Sequence, residues 1–316
     1  MSASNPPINL PCPLRIGTRG SDLALWQANH VRDLLTEMGA EPELTIIQTR
    51  GDLIDDVPFS KLEGKGFFTK ELEDAQLDGR VDLAVHSMKD MASEQPDGLT
   101  VCALIGREDP RELLLVHPDA VDGNRADSSI PLSDGARIGT SAARRQAQIQ
   151  ELRPDLEIVD LRGNVPTRVR KLREGQYDAI LLARAGVTRL GLDLTDLHVV
   201  ALDVEKFVPA PAQGMLAIQC RDEEPLRTFL HGLETAEAAA PVKAERRLLE
   251  KLDGGCQLPF GVNIRPFADG FRLVAFWCPA GVFDAPLRFR LDGPDPMALA
   301  DEAYDIIRRK REAPTP

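Results

Sequence analysis

The sequence predicts an α/β protein: two similar doubly wound lobes forming a cleft, followed by a smaller α+β unit. Three observations predict it. Short apolar strands alternate with amphipathic helical stretches from Leu14 onward. The same order of elements returns after residue 130. Near Pro241 the alternation gives way to one long helix followed by strands.

The first lobe opens with a strand at 14–16 that runs through Gly17-Thr18-Arg19-Gly20-Ser21 into a helix from 22 to about 38. Ser21 is its N-cap, and Leu23, Trp26, Val31, Leu34 and Leu35 form its apolar stripe. A strand follows at 44–47, then a helix over 68–77 closed by Gly79, and a buried strand at 81–85. In the second lobe Arg137-Ile138-Gly139-Thr140-Ser141 repeats the pattern of Arg15-Ile16-Gly17-Thr18. A helix over about 142–152, a strand at 156–161, a helix over 167–174 closed by Gly175 and a strand at 177–182 complete the echo. Both lobes carry Gly-x-x-Asp before a strand, at Gly79 with Asp82 and Gly175 with Asp178, although that pattern also arises by chance. A mostly parallel sheet with helices on both faces is expected in each. The C-terminal unit reads as a helix over 242–252, strands such as 271–277, and a last helix over about 297–311. The expected division is a leader at 1–13, a first lobe of 14–110 with 212–236, a second lobe of 111–211, and an α+β domain of 237–316.

Composition narrows the function. Hydrophobic residues at 43% and charged residues at 28% describe a globular chain of 316 residues, long enough for two or three domains. A net charge of −12 argues against a general nucleic-acid binder but leaves room for a local basic pocket. No apolar run approaches the roughly 20 residues that span a bilayer. The first 13 residues lack the basic and apolar regions of a secretion signal, so a cytoplasmic location is expected. Five cysteines with no CxxC pair suit a reducing compartment and argue against a disulfide framework or a zinc site. Neither a phosphate loop nor a Gly-x-Gly-x-x-Gly after the first strand is present.

Several residues could carry chemistry. Thr140-Ser141-Ala142-Ala143-Arg144-Arg145 lies at a helix N-terminus, where free N–H groups, hydroxyls and two guanidinium forks favour an anion. Arg162 sits where a strand ends, Arg168 one helical turn on, and Arg19 in the equivalent first loop of the first lobe. Any one of them alone reads as a solvated surface charge; together they point to a ligand with several carboxylates. His86-Ser87-Met88-Lys89-Asp90 closes the strand at 81–85, and Asp90 beside Lys89 is an acid/base candidate whose pKa partial burial would raise. Lys-Asp pairs are also common on surfaces. His86 reads as a hydrogen-bonded structural histidine. Cys256, in Gly254-Gly255-Cys256-Gln257-Leu258-Pro259, sits in a turn. It is either a buried turn cysteine or a reachable sulfur able to act as nucleophile or attachment point. The other four read as small hydrophobes.

The chain closely resembles the hydroxymethylbilane synthase (porphobilinogen deaminase) family. The resemblance is carried by Arg15-Ile16-Gly17-Thr18-Arg19-Gly20-Ser21, Gly64-Lys65-Gly66-Phe67-Phe68, His86-Ser87-Met88-Lys89-Asp90, Gly139-Thr140-Ser141 with Arg144-Arg145-Gln146, Leu161-Arg162-Gly163-Asn164 with Thr167-Arg168, Pro211-Ala212-Gln213-Gly214-Met215, and Gly254-Gly255-Cys256. It implies a dipyrromethane cofactor joined to Cys256 by a thioether, on which four porphobilinogen units are deaminated and added head to tail before hydrolysis releases the linear tetrapyrrole. It further implies Asp90 as the acid/base residue, assisting loss of ammonia and facing the cation that forms. Lys89, Ser141, Arg144 and Arg145 would hold cofactor carboxylates, and Phe68 would line the cofactor site. Arg19, Ser21, Arg162 and Arg168 would hold substrate carboxylates, and Lys61 and Lys65 would belong to a loop over the cleft. A monomer binding no nucleic acid or membrane is the family expectation.

The chain departs from the family pattern at Met91-Ala92-Ser93, at Ala142 and Ala143 before the arginine pair, at Ala212 in place of a usual glycine, and at Gln219 in place of a common glutamate. Loss of one hydroxyl contact at Ala142 costs on the order of 1 kcal/mol, about fivefold to tenfold in affinity. None of Asp90, Arg144, Arg145, Arg162 or Cys256 is replaced. The alternatives are a catalytically silent, tetrapyrrole-binding paralogue, or a solute-binding protein of the two-lobed periplasmic-binding-protein-like kind whose lobes these resemble.

Overall fold

A computed structural model of the chain describes residues 10–49, 69–125, 128–253, 258–279 and 286–312. The described residues form two compact units, one of residues up to 49 with 69–106 and 215–239, the other of 107–214 with 240–312.

The chain begins with β1 (Leu14–Thr18), α1 (Asp22–Glu37), β2 (Pro42–Ile46), α2 (Lys70–Leu77), β3 (Leu83–Ser87) and β4 (Leu99–Ile105). The second unit then opens with β5 (Glu112–Val116), β6 (Arg137–Gly139), α3 (Ala143–Leu152), β7 (Glu157–Val159), α4 (Val165–Arg173), β8 (Ala179–Ala183), α5 (Arg184–Leu190) and β9 (His198–Ala201). The chain returns to the first unit as β10 (Leu216–Arg221) and α6 (Leu226–His231). It ends with α7 (Ala236–Lys251), the hairpin β11 (Phe260–Phe267) and β12 (Gly270–Trp277), β13 (Leu287–Gly293) and α8 (Pro296–Glu312).

The two five-stranded sheets share one topology. Their orders are β2-β1-β3-β10-β4 and β7-β6-β8-β5-β9. In the first, β1 is parallel to β2 and β3, and β10 is antiparallel to β3 and β4. In the second, β6 is parallel to β7 and β8, and β5 is antiparallel to β8 and β9. Each sheet is therefore mostly parallel, as expected, with one reversed strand in the fourth place. That strand lies far along the chain from its neighbours or enters from the other unit, so local periodicity could not place it.

The repeated Gly-x-x-Asp is a real structural repeat. Asp82 accepts hydrogen bonds from the Arg15 backbone N–H at 2.8 Å and from its guanidinium at 2.8 and 3.0 Å. Asp178 does the same with Arg137, at 2.6 Å from the backbone N–H and 3.0 Å from Nη2. Each aspartate thus ties the strand leaving a helix to the parallel strand beside it. Gly79 and Gly175, with φ of 70° and 71°, supply the left-handed residue that ends the preceding helix. Burial alone would raise the Asp82 pKa, but its bonds with Arg15 and Arg221 outweigh that and hold it below the ordinary value.

Alternation along the strands of the second sheet buries both faces. Leu114, Val116, Ala179 and Leu181 pack on one side, and Leu113, Leu115, Ile180 and Leu182 on the other. In the first sheet Leu14, Ile16, Leu83, Val85, Leu216 and Ile218 pack with Ala28, Val31 and Leu35 of α1. The antiparallel sheet β11-β12-β13 has its own core, in which Val262, Leu273 and Ala275 meet Leu248 of α7 and Leu299, Ala303 and Ile307 of α8.

Three expectations are corrected. The long C-terminal helix begins at Ala236, six residues before 242, with Pro241 inside it; the proline costs the single hydrogen bond to the Glu237 carbonyl and does not stop the helix. Cys102 and Cys220 are joined as a disulfide rather than standing as separate small hydrophobes. They lie 118 residues apart in sequence, yet adjacent strands β4 and β10 bring their Cα atoms to 6.6 Å, a proximity that spacing in sequence cannot show. The strand expected at 81–85 runs instead from Leu83 to Ser87, because Val81 and Asp82 are spent on the turn and the Arg15 clasp. Among the described residues no helix is long and apolar enough to cross a membrane.

Candidate functional site

In the first unit the candidate residues gather on the loops that follow β1 and β3. Ser21 caps α1 as expected, its Oγ accepting from the Ala24 N–H at 3.4 Å. Arg19 precedes it, partly exposed and close enough to His86 to act on its charge. Met88–Asp90 forms a single 3₁₀ turn directly after β3. It places Lys89 half-buried and Asp90 exposed at the end of the turn, where partial burial was expected. The turn follows a strand whose N–H groups are taken by its neighbours, so its side chains are presented outward from a fixed backbone.

His86 is buried, as expected of a structural histidine, with Nε2 3.2 Å from Gln219 Oε1. Its pKa is pushed down to about 4, first by burial and then by the Arg19 charge, against the Gln219 hydrogen bond. The sign of the resulting pH dependence follows. Between about 6.5 and 4 the unfolded chain takes up a proton that folded His86 refuses, so stability falls with falling pH across that window. From pH 7 to 5 this one group removes about 2 kcal/mol. Urea unfolding of wild type and His86→Gln at the two pH values checks it: the variant is expected to lose about 2 kcal/mol less.

In the second unit Ser141 and the arginines cluster around β6 and its neighbours. Ser141 Oγ donates to the Leu161 carbonyl at 2.6 Å and accepts from the Leu161 N–H at 3.1 Å, pinning the loop after β6 to the loop that carries Arg162. The Arg162 side chain is 12% exposed, its Nε 3.5 Å from Asp160. Arg168 donates from Nε to the Gly163 carbonyl at 2.7 Å. Arg144 and Arg145 are not surface charges. Both are buried, and both grip Glu112 at the start of β5, through Arg144 Nη2 to Oε1 at 2.5 Å and Arg145 Nη2 to Oε2 at 2.7 Å. Their other arms donate to the Val208 and Leu181 carbonyls. Burial, with the neighbouring Arg145 charge, outweighs Glu112 and lowers the Arg144 pKa. The Nε of Arg145 is buried, with no hydrogen-bond partner among the described residues. Glu112 was missed in sequence; its only signal is a charged residue opening an otherwise apolar strand, Glu112-Leu113-Leu114-Leu115-Val116.

The motif Ala212-Gln213-Gly214 is the centre of a second buried network that sequence reading missed. Glu245 of α7, fully buried, accepts from the Ala212 N–H at 2.7 Å, the Ile264 N–H at 2.7 Å and Arg107 Nη2 at 2.8 Å. The Gly214 carbonyl accepts from the Glu108 N–H at 3.0 Å and from buried Arg189 at 2.6 Å. Burial pushes the Arg189 pKa down to about 10, against the pull of Glu108. At Gly214, φ is +89° and any Cβ would meet the Glu108 carbonyl, so only glycine fits. Ala212 adopts φ of 62°, a left-handed conformation that alanine takes at a cost. Ala212→Gly is therefore expected to stabilise the protein by about 1 kcal/mol, read as a higher urea midpoint at unchanged slope.

Phe68, Lys61, Lys65 and Cys256 lie outside the described residues. Of the other cysteines, Cys12 is exposed and Cys278 buried.

Comparison with known proteins follows the same lines. A family model described as "Porphobilinogen deaminase, dipyromethane cofactor binding domain" matches residues 14–227. The porphobilinogen deaminase of Sulfurimonas denitrificans is 46% identical over 260 residues, 81% of this chain and 80% of its own. That of Trichlorobacter lovleyi is 48% identical over 269 residues, 84% and 83%. That of Maridesulfovibrio salexigens is 45% identical over 299 residues, 93% and 91%. Among solved structures, an ancestral cationic amino acid solute binding protein is similar at 14% identity and a TM-score of 0.42, over 74% of this chain and 93% of its own. By the family model and by identity across most of its length, the chain belongs to the porphobilinogen deaminase family.

Proposed function

We propose that the chain is a transferase that deaminates four porphobilinogen molecules and joins them head to tail on a covalent dipyrromethane primer, releasing the linear tetrapyrrole and ammonia in porphyrin biosynthesis. The observation that carries this reading is the family match across 14–227, which takes in β1, the Lys89–Asp90 turn and the arginine pair of α3. The donor set fits a group bearing carboxylates. Arg144 and Arg145 share Glu112 in a buried place, and the Arg145 Nε–H there has no partner among the described residues. An acetate or propionate oxygen is the acceptor such a donor calls for.

When bound, the dipyrromethane supplies the pyrrole terminus to which the first unit is joined. Cys256 is its attachment point, and Lys89, Ser141, Arg144, Arg145 and Phe68 hold it. Arg19, Ser21, Arg162 and Arg168 bind the substrate's carboxylates and orient its aminomethyl group. Asp90 is the catalytic residue. It delivers a proton to the departing amine, which leaves as ammonia, and its carboxylate then faces the cation left on the substrate methylene. The bound group would supply the pyrrole carbon that joins this methylene, and the Asp90 carboxylate would take back the proton which that carbon gives up. Ser141 holds the arginine-bearing loops in register through Leu161.

The three-part division, with lobes of 14–110 plus 212–236 and 111–211 and a domain of 237–316, is supported by the three separate sheets. The acidic net charge supports a protein that binds no nucleic acid, and the biosynthetic role of its family supports a cytoplasmic location; the monomer is carried over from the family resemblance alone. Incubating purified protein with porphobilinogen tests the activity. Consumption with one ammonia released per porphobilinogen is expected; binding of porphobilinogen without consumption would make the chain a silent paralogue.

A further inference from the structure

Gln219 lies on β10 with none of its surface exposed, where both flanks of the Lys89–Asp90 turn are tied together. Its Oε1 accepts from His86 Nε2 at 3.2 Å and from Gln76 Nε2 of α2 at 2.8 Å. Its Nε2 donates to Gln95 Oε1 at 2.8 Å, and Gln95 Nε2 donates in turn to the Ala92 carbonyl at 3.0 Å. His86 lies on the strand side of the Met88–Asp90 turn and Ala92 just beyond it. The strand side is further held by Gln27 Nε2 of α1 donating to Ser87 Oγ at 2.9 Å, and by the Met88 N–H donating to the Met215 carbonyl at 2.9 Å. One buried amide therefore reaches both flanks of the turn.

We propose that Gln219 is a positioning residue for the reaction: through His86 on one side and Gln95 on the other, it holds the Met88–Asp90 turn in the one orientation that presents Asp90. The inference rests on the reading of Asp90 as the acid/base residue. In this chain the hydrogen-bond network demands an amide. The oxygen must accept twice and the nitrogen must donate, all in a neutral side chain away from water. A glutamate keeps the first function and loses the second. A leucine loses both. Because Oε1 can only accept, it also fixes His86 with its proton on Nε2. Gln95 cannot turn its own amide to suit a glutamate at 219 without giving up Ala92.

The test uses cofactor-loaded protein, with loading read by intact mass. Gln95→Met removes the arm to Ala92, and with it the acceptor of Gln219 Nε2, while the hub keeps its bonds to His86 and Gln76. It is expected to lower kcat about tenfold with the porphobilinogen KM within about twofold. Gln219→Leu is expected to lower kcat further. A merely structural role would lower the folded fraction and leave kcat per loaded molecule unchanged, so wild-type kcat in Gln95→Met, or a loss confined to KM, overturns the proposal. A second readout does not depend on turnover. Amide hydrogen exchange across 88–92 is expected to quicken about tenfold or more in Gln95→Met, and unchanged exchange overturns the proposal. Full activity of Asp90→Asn would instead sink the reading of Asp90 while leaving the exchange result standing.

Discussion

Asp90→Asn is expected to lower porphobilinogen turnover by about a hundredfold or more while the protein stays folded and loaded with cofactor. Asparagine matches the carboxylate in shape, but it can neither deliver a proton to the departing amine nor face a methylene cation with negative charge. The fold makes this a clean substitution. Asp90 is exposed at the end of a 3₁₀ turn, and the bonds that hold the turn run through its neighbours Ser87, Met88 and Ala92. Stability should therefore change little, and KM should stay within a few fold because Arg19, Arg162 and Arg168 are untouched. Steady-state consumption by wild type and variant, normalised to cofactor content, checks the expectation. A variant within about threefold of wild type would remove Asp90 from the chemistry.

Glu112→Ala is expected to destabilise the protein by about 3–5 kcal/mol, because it leaves the buried guanidiniums of Arg144 and Arg145 facing each other without a counter-charge. The loss should be smaller in cofactor-loaded protein than in apoprotein, since carboxylates of the bound group take over part of the role of Glu112. Urea unfolding of both forms measures the two values. A loss under about 1 kcal/mol, or one equal in both forms, contradicts this account of the pair. Glu112→Gln keeps an acceptor for one arginine and should lie between wild type and alanine.

Much of this architecture is written locally in the sequence, and the rest is written in contacts between distant segments. The repeat of Arg15 with Asp82 in Arg137 with Asp178 is legible because each aspartate stands a fixed step after a helix-ending glycine. Ser21 is legible as a cap because capping is a local bond. The reversed strands β5 and β10 are not, because their partners lie far along the chain. The same holds for Cys102 with Cys220, and for Glu245 beneath Ala212. The candidate site divides along the same line. Side-chain types and their places at strand and helix ends made Arg144, Arg145 and Asp90 candidates. What grips the arginines, and what holds the turn, are Glu112 and Gln219, single polar residues in otherwise apolar strands. Period-2 patterning treats such residues as blemishes. In the folded chain they are the hubs of its buried polar networks.

The central claim is that this chain carries a dipyrromethane group on Cys256, and intact mass under denaturing conditions tests it most directly. Wild type and Cys12→Ala, which removes the exposed described cysteine, are each expected to exceed the mass of their own chain by two linked pyrrole units. Cys256→Ala is expected to show the mass of its chain alone. An excess that persists in Cys256→Ala, or that disappears in Cys12→Ala, would contradict the account.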